Sequence, residues 1–425
     1  MKKVNVLVFP CGSEIGLELH RSLRFSKEVK LFGGSSKSDH GEFVYERHIS
    51  DIPFVSEPMF LSRINQVITE LNIDYILPAH DSVVLQLAES QHKGELLCPV
   101  ITSPLETCRI ARSKKQTMEF FKGIIRTPYV YKEINQVTEF PVFLKPDVGQ
   151  GSKGTVFVMS KEEAQFHLAY NQELLILEYL PGAEYTIDCY TDNVGDLIFY
   201  GGRQRCRISN GISVNTKPVV MDGIKDIAIT INKHLNMRGM WFFQVKETKD
   251  GDLALMEIAP RMAGTMGMYR NLGVNFALMN IYELEGYKIK AMPNAFNIEM
   301  DRALCSRFKL NISYKVAYVD FDDCLLIDQK INTYLISFLY QCINEGVQIN
   351  LLTRHAEEIH SSLAKYRMEG LFDSVIHLRN GERKSQYIQH EESIFIDDSF
   401  SERAEVQSIC KIPVFAPDAV ESLLK

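Results

Sequence analysis

Residues 4–9 form a short apolar run broken only by Asn5, the pattern of a strand buried on both faces. Apolar positions then recur at helical spacing over 17–23. A strand follows at 29–32, an amphipathic helix at 60–71, a strand at 75–77 and a helix at 82–88. Such alternation is the signature of a parallel sheet with crossover helices, expected over residues 1–112. From 113 to 305 hairpin strands mix with helices, an α+β pattern. Over 313–425 strict alternation returns in a segment of ordinary domain size. The expected fold class is therefore α/β and α+β in a multidomain chain, its last boundary between 301 and 313. The sequence carries no internal repeat and no low-complexity segment.

Composition narrows the function classes. Of 425 residues, 45% are hydrophobic and 24% charged, the balance of a globular protein. A net charge of −7 argues against a nucleic-acid partner. No apolar run approaches ~18 residues, so no membrane partner is expected. The start, Met1-Lys2-Lys3 and then 4–9, faintly resembles a signal peptide, but its apolar stretch is short and no small-residue cleavage site follows. Nine cysteines without CxxC spacing read as reduced thiols, and a cytoplasmic location is expected. No HxxxH or HExxH pair points to zinc.

The turn Cys11-Gly12-Ser13-Glu14-Ile15-Gly16 follows the first strand and invites a dinucleotide-binding reading. It lacks the first glycine of GxGxxG, and no acid of the ribose-holding kind stands near Gly33-Gly34-Ser35. A structural or substrate-facing turn is the better expectation.

Candidate chemistry begins at 140–159. A strand ends in Lys145-Pro146, a loop runs from Asp147 through Gly149, Gly151, Ser152, Lys153 and Gly154, and a second strand follows. Glycines let backbone N–H groups approach an anion, and the lysines add charge; a flexible hairpin turn fits the loop equally well. Residues 175–184 read as a strand entering a tight turn, with carboxylates at Glu178 and Glu184. Segments 241–247 and 253–258 flank Lys249-Asp250-Gly251-Asp252, a hairpin signal. A turn centred on Asp250-Gly251 sets Gln244 opposite Glu257 on one face. Two oxygen ligands would then meet at one point, as a magnesium nucleotide requires; a surface Gln–Glu pair is the plainer alternative.

In order and spacing these segments resemble the ATP-grasp superfamily, notably its carbamoyl-phosphate-synthetase-like and carboxylate–amine ligase branches, from residue 1 to about 300. The resemblance implies a Rossmann-like pre-ATP-grasp domain (1–112) and an ATP-grasp core (113–305). It implies that Lys114, in Ser113-Lys114-Lys115-Gln116-Thr117, and Lys145 contact ATP phosphates. It makes Gly149 to Gly154, with Gly151, Ser152 and Lys153, a mobile loop over the triphosphate. Glu178, Tyr179 and Leu180 become the hinge that reads adenine largely through backbone groups, and Glu184 the ribose carboxylate. Gln244 and Glu257 become metal ligands, and Arg261 the arginine beside the transferred phosphate. Where the family usually has asparagine, this chain has Ala259; where it usually has aspartate, Ser113.

Arg203, Arg205 and Arg207 stand at period two, which on a strand puts all three on one face. Guanidinium suits carboxylate or phosphate, and a solvated edge strand is the alternative. By the resemblance, Arg205 and Arg207 help hold an acyl phosphate. Residues 262–269, with three methionines, shape the substrate pocket or simply begin a core helix.

In the last segment, strands run into Asp320-Phe321-Asp322-Asp323-Cys324, into Thr353 and into Asp397-Asp398, while Lys384 opens a helix. Polar clusters at strand carboxyl ends converge on one crevice, and this set suits magnesium-assisted phosphoryl transfer. It resembles the haloacid-dehalogenase-like superfamily over 315–425 and implies a capless domain of that Rossmannoid kind at 313–425. By that resemblance Asp320 is the nucleophile and Asp322 the general acid, then base. Thr353 and Lys384 hold the phosphoryl group, and Asp397 and Asp398 hold magnesium with Asp320. Cys324 replaces the usual threonine or valine.

The expected function is an ATP-dependent carboxylate–amine ligase acting through an acyl phosphate, with a fused phosphatase-like domain. Expected cofactors are ATP and Mg2+, with Mn2+ able to substitute. Expected partners are a small-molecule carboxylate, an amine and a phosphorylated substrate, with room for a homodimer. A nucleotide-regulated binding protein with a degenerate ligase site, favoured by Ala259, and an ATP-grasp small-molecule kinase are the alternatives.

Overall fold

The computed structural model describes residues 2–149, 151, 153–379 and 381–425. The chain forms two compact units, Met1–Cys305 and Ser306–Lys425.

In the first unit a four-stranded parallel sheet runs in the order His48–Ile49, Val29–Gly34, Val4–Phe9, Tyr75–Pro78. Along Val4–Phe9, Val4, Val6 and Val8 enter one core cluster and Leu7 and Phe9 another, so both faces are covered. That strand has a parallel neighbour on each side, the topological switch point at which a crevice opens beyond the strand carboxyl ends. Ser13 occupies it, its Oγ lying 3.1 Å from the carbonyls of Pro10 and Ala79. Ser13 also caps the helix Glu14–Leu23 by accepting from Gly16 N, which is why this helix starts earlier than its apolar spacing predicts.

Two antiparallel sheets follow. One has the order Val130–Tyr131, Leu174–Glu178, Val142–Pro146, Val156–Val158. The other has six strands: Leu253–Ala259, Gly239–Glu247, Glu184–Thr191, Leu197–Ser209, Ile212–Val219, Met300–Asp301. A single core cluster contains Val4, Val8 and Leu19 together with Phe199, Phe242, Met262 and Phe276. The parallel and six-stranded sheets therefore share an interior.

The second unit has a five-stranded parallel sheet in the order Ser374–His377, Gln348–Thr353, Val316–Val319, Ser393–Ile396, Val414–Phe415. Its switch point lies beside Val316–Val319, between Gln348–Thr353 and Ser393–Ile396. A small hairpin, Leu326–Ile327 with Lys330–Ile331, follows the central strand. Its turn residues Asp328 and Gln329 both take positive φ, 47° and 59°, the conformation of a tight two-residue hairpin turn. Among the described residues no helix is long and apolar enough to cross a membrane, and all nine cysteines are unpaired.

Candidate functional site

A cavity of about 520 Å³ opens in the first unit. Its floor is one face of the six-stranded sheet. The register aligns Glu257, Gln244, Thr186 and Arg203 in a row across four adjacent strands, and all four line the cavity. Directly opposite residues present their side chains on the same face. In the next row Lys246 stands opposite Glu184, and both also line it. Gln244 meets Glu257 as expected, but by a different route. The loop spans residues 248–252, closed by Thr248 N donating to Asp252 O at 2.8 Å. A bulge at Met256 then restores the register.

Lys145, at the end of Val142–Pro146, faces this floor with Lys114 and Lys153. Lys114 Nζ donates to the Asp147 carbonyl at 3.1 Å. The Asp147 carboxylate accepts from Ser113 Oγ at 2.8 and 2.9 Å and from Lys115 N at 2.8 Å. Ser113 caps the helix Lys114–Phe120, a service serine performs as well as aspartate. Gly151 and Gly154 take positive φ, 58° and 71°, which L side chains rarely adopt. Gly151 lines the cavity and Gly154 does not; Ser152 lies outside the described residues. Leu180 and Glu178 line the wall beside Phe143. The Glu178 carboxylate is engaged by Arg126 Nη2 at 2.6 and 2.7 Å and by Tyr129 N at 2.9 Å, and its backbone N–H donates to Tyr129 O at 2.9 Å. The Tyr179 ring is turned elsewhere and stacks on Phe143 at 6.2 Å.

Burial dominates the electrostatics of the cavity. It lowers the pKa of Lys145 against the pull of Glu184 and Glu257, and likewise that of Lys114 against Glu257. Burial and then Asp81 raise the pKa of Glu257, opposed by Lys114, Arg261 and Lys145. Arg261 is held by Asp81 through two parallel bonds, Nε to Oδ1 at 2.6 Å and Nη2 to Oδ2 at 2.8 Å. Arg203 is tied in the same way to buried Asp188, at 2.7 and 3.0 Å. Arg205 pairs with Glu184, lies 3.3 Å from Gln244 Oε1 and donates to Gly211 O at 2.8 Å. Its buried Nε–H has no partner among the described residues. An unmet buried donor costs about 1–3 kcal/mol.

Two expectations need correction, and one pair of alternatives is decided. Arg207 does not share a face with Arg203 and Arg205. The pairing with Ile212–Val219 slips between Arg205 and Arg207 and again after it, and Arg207 is exposed and paired with Asp301 at 2.6 Å. Met262, Met266 and Met268 are fully buried core; from their segment only Ala263, Gly264 and Thr265 reach the cavity. Lys384 opens a short 3-10 turn, Lys384–Tyr387, and not a longer helix. Ala259 is 2% exposed, opposite Phe242, with its methyl group in the core, so it offers no ligand atom. Sequence reasoning missed Asp81, although His80-Asp81-Ser82 directly follows a strand of the parallel sheet, where a crevice is expected.

In the second unit Asp320, Asp397 and Asp398 bring carboxylate oxygens within 4.8 Å of one another. Lys384 Nζ bridges two of them, donating to Asp320 Oδ1 at 2.8 Å and Asp397 Oδ2 at 2.6 Å. Burial, with Asp397 adding to it and Lys384 opposing, pushes Asp320 up to about 6. Burial also raises Asp397 against Lys384. Burial disfavours the charge on Lys384, but the two aspartates outweigh it and raise its pKa. Thr353, fully buried, ends its strand at the same crevice and accepts from His355 N at 3.2 Å. Asp322 is half exposed, and both its oxygens lie 2.9 Å from His355 Nδ1. His355 Nε2 lies 2.8 Å from Ser362 Oγ. The holding role of His355 left no periodic signal in the sequence.

Comparison with known proteins bears on the first unit. Residues 170–303 match the family described as ATP-grasp in the biosynthetic pathway with Ter operon. The carbamoyl-phosphate synthase of Methanobrevibacter smithii is 23% identical over 222 residues, 47% of this chain and 60% of that protein. The chain thus spans less than two thirds of this curated relative. Among solved structures, the biotin carboxylase domain of the 2-oxoglutarate carboxylase of Hydrogenobacter thermophilus, in complex with MgADP, ADP and bicarbonate, superposes with a TM-score of 0.57. It is 15% identical, covering 68% of this chain and 71% of that one. The N5-carboxyaminoimidazole synthetase of Staphylococcus aureus, complexed with ADP, gives a TM-score of 0.54 at 16% identity, covering 69% and 80%. The comparisons support the ATP-grasp superfamily, and the likeness to the solved structures is one of fold.

Proposed function

We propose that residues 1–305 are an ATP-dependent carboxylate–amine ligase, residues 1–112 serving as its pre-ATP-grasp domain and 113–305 as its ATP-grasp core. The observation that carries this reading is the row Glu257, Gln244, Thr186, Arg203 facing Lys114, Lys145 and Lys153 across one cavity. Glu257 and Gln244 are oxygen donors of the kind magnesium takes, and the three lysines suit a triphosphate. Magnesium or manganese held there would neutralise phosphate charge. A substrate carboxylate oxygen attacks the γ-phosphorus of ATP, the bond to the bridging oxygen breaks, and ADP leaves. An amine nitrogen then attacks the acyl carbon. The C–N bond forms, the C–O bond to phosphate breaks, and the amine's surplus proton passes to solvent. Lys114 and Lys145 hold phosphate oxygens, Arg205 and Arg261 face the charge that develops in transfer, and the Glu178–Leu180 backbone with Glu184 positions the nucleoside. Catalysis is by positioning and charge neutralisation.

Residues 313–425 we read as a magnesium-dependent phosphatase-like domain. The reading rests on the cluster of Asp320, Asp397, Asp398 and Lys384 at the strand carboxyl ends. Asp320 attacks phosphorus, and the leaving alcohol takes the proton of Asp322. Water then attacks the aspartyl phosphate, giving its proton to Asp322 and releasing phosphate. Thr353 and Lys384 hold phosphoryl oxygens, and magnesium on the aspartates would offset their negative charge.

Mass spectrometry of cell extract incubated with the protein, magnesium and ATP tests the ligase reading. The expected result is a new amide together with ADP and phosphate. A phosphorylated metabolite with no amide would make the first unit a kinase. Nucleotide binding without turnover would favour a regulated binding protein, the reading to which buried Ala259 points.

A further inference from the structure

Asp322 stands in the tight loop that follows the strand Val316–Val319 of the second unit. Leu325 N and Leu326 N both donate to Phe321 O, at 2.9 and 3.0 Å, and Asp323 takes a left-handed φ of 51°. The Asp322 side chain is 48% exposed. Such a side chain exchanges rotamers in picoseconds to nanoseconds unless it is held. His355 Nδ1 lies 2.9 Å from both of its oxygens, and no other side chain among the described residues donates to them. The imidazole is fixed in turn. Its Nε2 lies 2.8 Å from Oγ of buried Ser362, on the helix Ile359–Lys365. Its ring meets that of Phe321 edge-on, with centroids 4.9 Å apart. The His355 carbonyl accepts from His377 Nε2 at 2.6 Å. An imidazole that donates from Nδ1–H to a carboxylate can accept at Nε2 from the serine hydroxyl, so one neutral tautomer satisfies both ends.

The geometry points to His355 as the positioning residue for proton transfer at Asp322, with Ser362 as its support. The inference rests on reading residues 313–425 as a phosphatase, and adds a residue that acts through Asp322. The Nδ1–H straddles the two carboxylate oxygens. One oxygen is therefore held while the other carries the proton to the leaving alcohol, as the bond from Asp320 to phosphorus forms and the ester P–O bond breaks. A general acid contributes roughly 10²–10⁴-fold to such a step, and a misplacement of about 1 Å can cost 10²-fold. That contribution matters only where the leaving oxygen is a strong base. An alkoxide must be protonated as it departs, whereas a dinitrophenolate leaves unaided. The positioning role thus has a signature that support of the fold lacks: the loss on removing His355 grows with the basicity of the leaving group.

The test measures kcat/KM, which reports the step that expels the leaving group, for propyl, phenyl and dinitrophenyl phosphates with the full chain and magnesium. His355→Leu is expected to lower it at least ~100-fold on propyl phosphate and less than about threefold on dinitrophenyl phosphate. His355→Asn, which keeps an N–H near the place of Nδ1, should recover most of the loss. Asp322→Ala should show the same dependence on the leaving group, and adding His355→Leu to it should change little. Equal losses on all three esters, or a further large loss in the double variant, overturn the inference and leave the phosphatase reading standing. No hydrolysis of any ester by the unaltered protein overturns the phosphatase reading, and this inference with it. If His355→Leu does not fold, Ser362→Ala decides: an unchanged ratio of propyl to dinitrophenyl activity overturns the inference, and a fall in that ratio supports it.

Discussion

The two units solve the same electrostatic problem in opposite ways. In the second, like charges are crowded at the carboxyl ends of one parallel sheet, and a single buried lysine, Lys384, bridges Asp320 and Asp397. In the first, opposite charges are paired one to one: Arg261 with Asp81 and Arg302 with Glu14 from distant parts of the chain, and Arg205 with Glu184 from adjacent strands. The crowded site is short of positive charge and calls for a cation. The first site neutralises its arginines within the protein and leaves Lys114, Lys145 and Lys153 to face the cavity, so it suits an anionic ligand. The acidic cluster needs only one sheet, whose strands end together, whereas Arg261–Asp81 and Arg302–Glu14 depend on two sheets sharing a core.

The largest expected effect is in the second unit. Asp320→Asn should abolish magnesium-dependent hydrolysis of p-nitrophenyl phosphate, a loss of at least ~10³-fold, as removal of a nucleophile does. The same change should leave ATP binding untouched; activity that survives it would reassign the nucleophile. Asp81→Ala should cost the first unit about 3–5 kcal/mol in urea denaturation, because Arg261 is left charged and buried without its partner. A loss below about 1 kcal/mol would show that Arg261 finds another anion or water. Lys145→Ala and Glu257→Ala should each weaken MgATP binding at least ~tenfold, near 1.4 kcal/mol, by calorimetry. Unchanged affinity in both would remove the nucleotide from this cavity.

The smallest effect is one of pH. With Asp320 raised to about 6 by burial, proton and metal compete for its carboxylate below that value. Magnesium affinity of the second unit should therefore fall roughly tenfold from pH 7 to pH 5 and be flat above pH 7. A flat profile through pH 5 would mean that Lys384 already holds Asp320 ionised.

Much of this architecture was legible in the chain. The apolar run at 4–9 and the alternation after it suffice for a parallel sheet, since a strand buried on both faces admits few other readings. The hairpin around Asp250-Gly251 put Gln244 opposite Glu257, although the loop and the bulge at Met256 each depart from the simple turn and cancel. Period-two reasoning failed at Arg207, because a single slip of register turns a side chain to the other face and nothing in Arg205-Cys206-Arg207 announces it. The methionines of 262–268 were ambiguous for a related reason. Their chemistry suits either a core or a pocket, and only packing against Val4, Val8 and Phe276 makes them core.

By itself the sequence determined the elements, their hydrophobic faces and the polar clusters at strand ends, because these follow from local periodicity and turn chemistry. Tertiary structure alone decided the partners. Asp81 and Arg261 are far apart in the chain, as are Glu14 and Arg302, and no local pattern links them. They meet because apolar residues of the parallel sheet and of the six-stranded sheet bury one another in a common core. Once that core is formed, a charge at its margin must either find its opposite or stay unpaired out of water, and the cost of the latter selects the pairs that line the cavity.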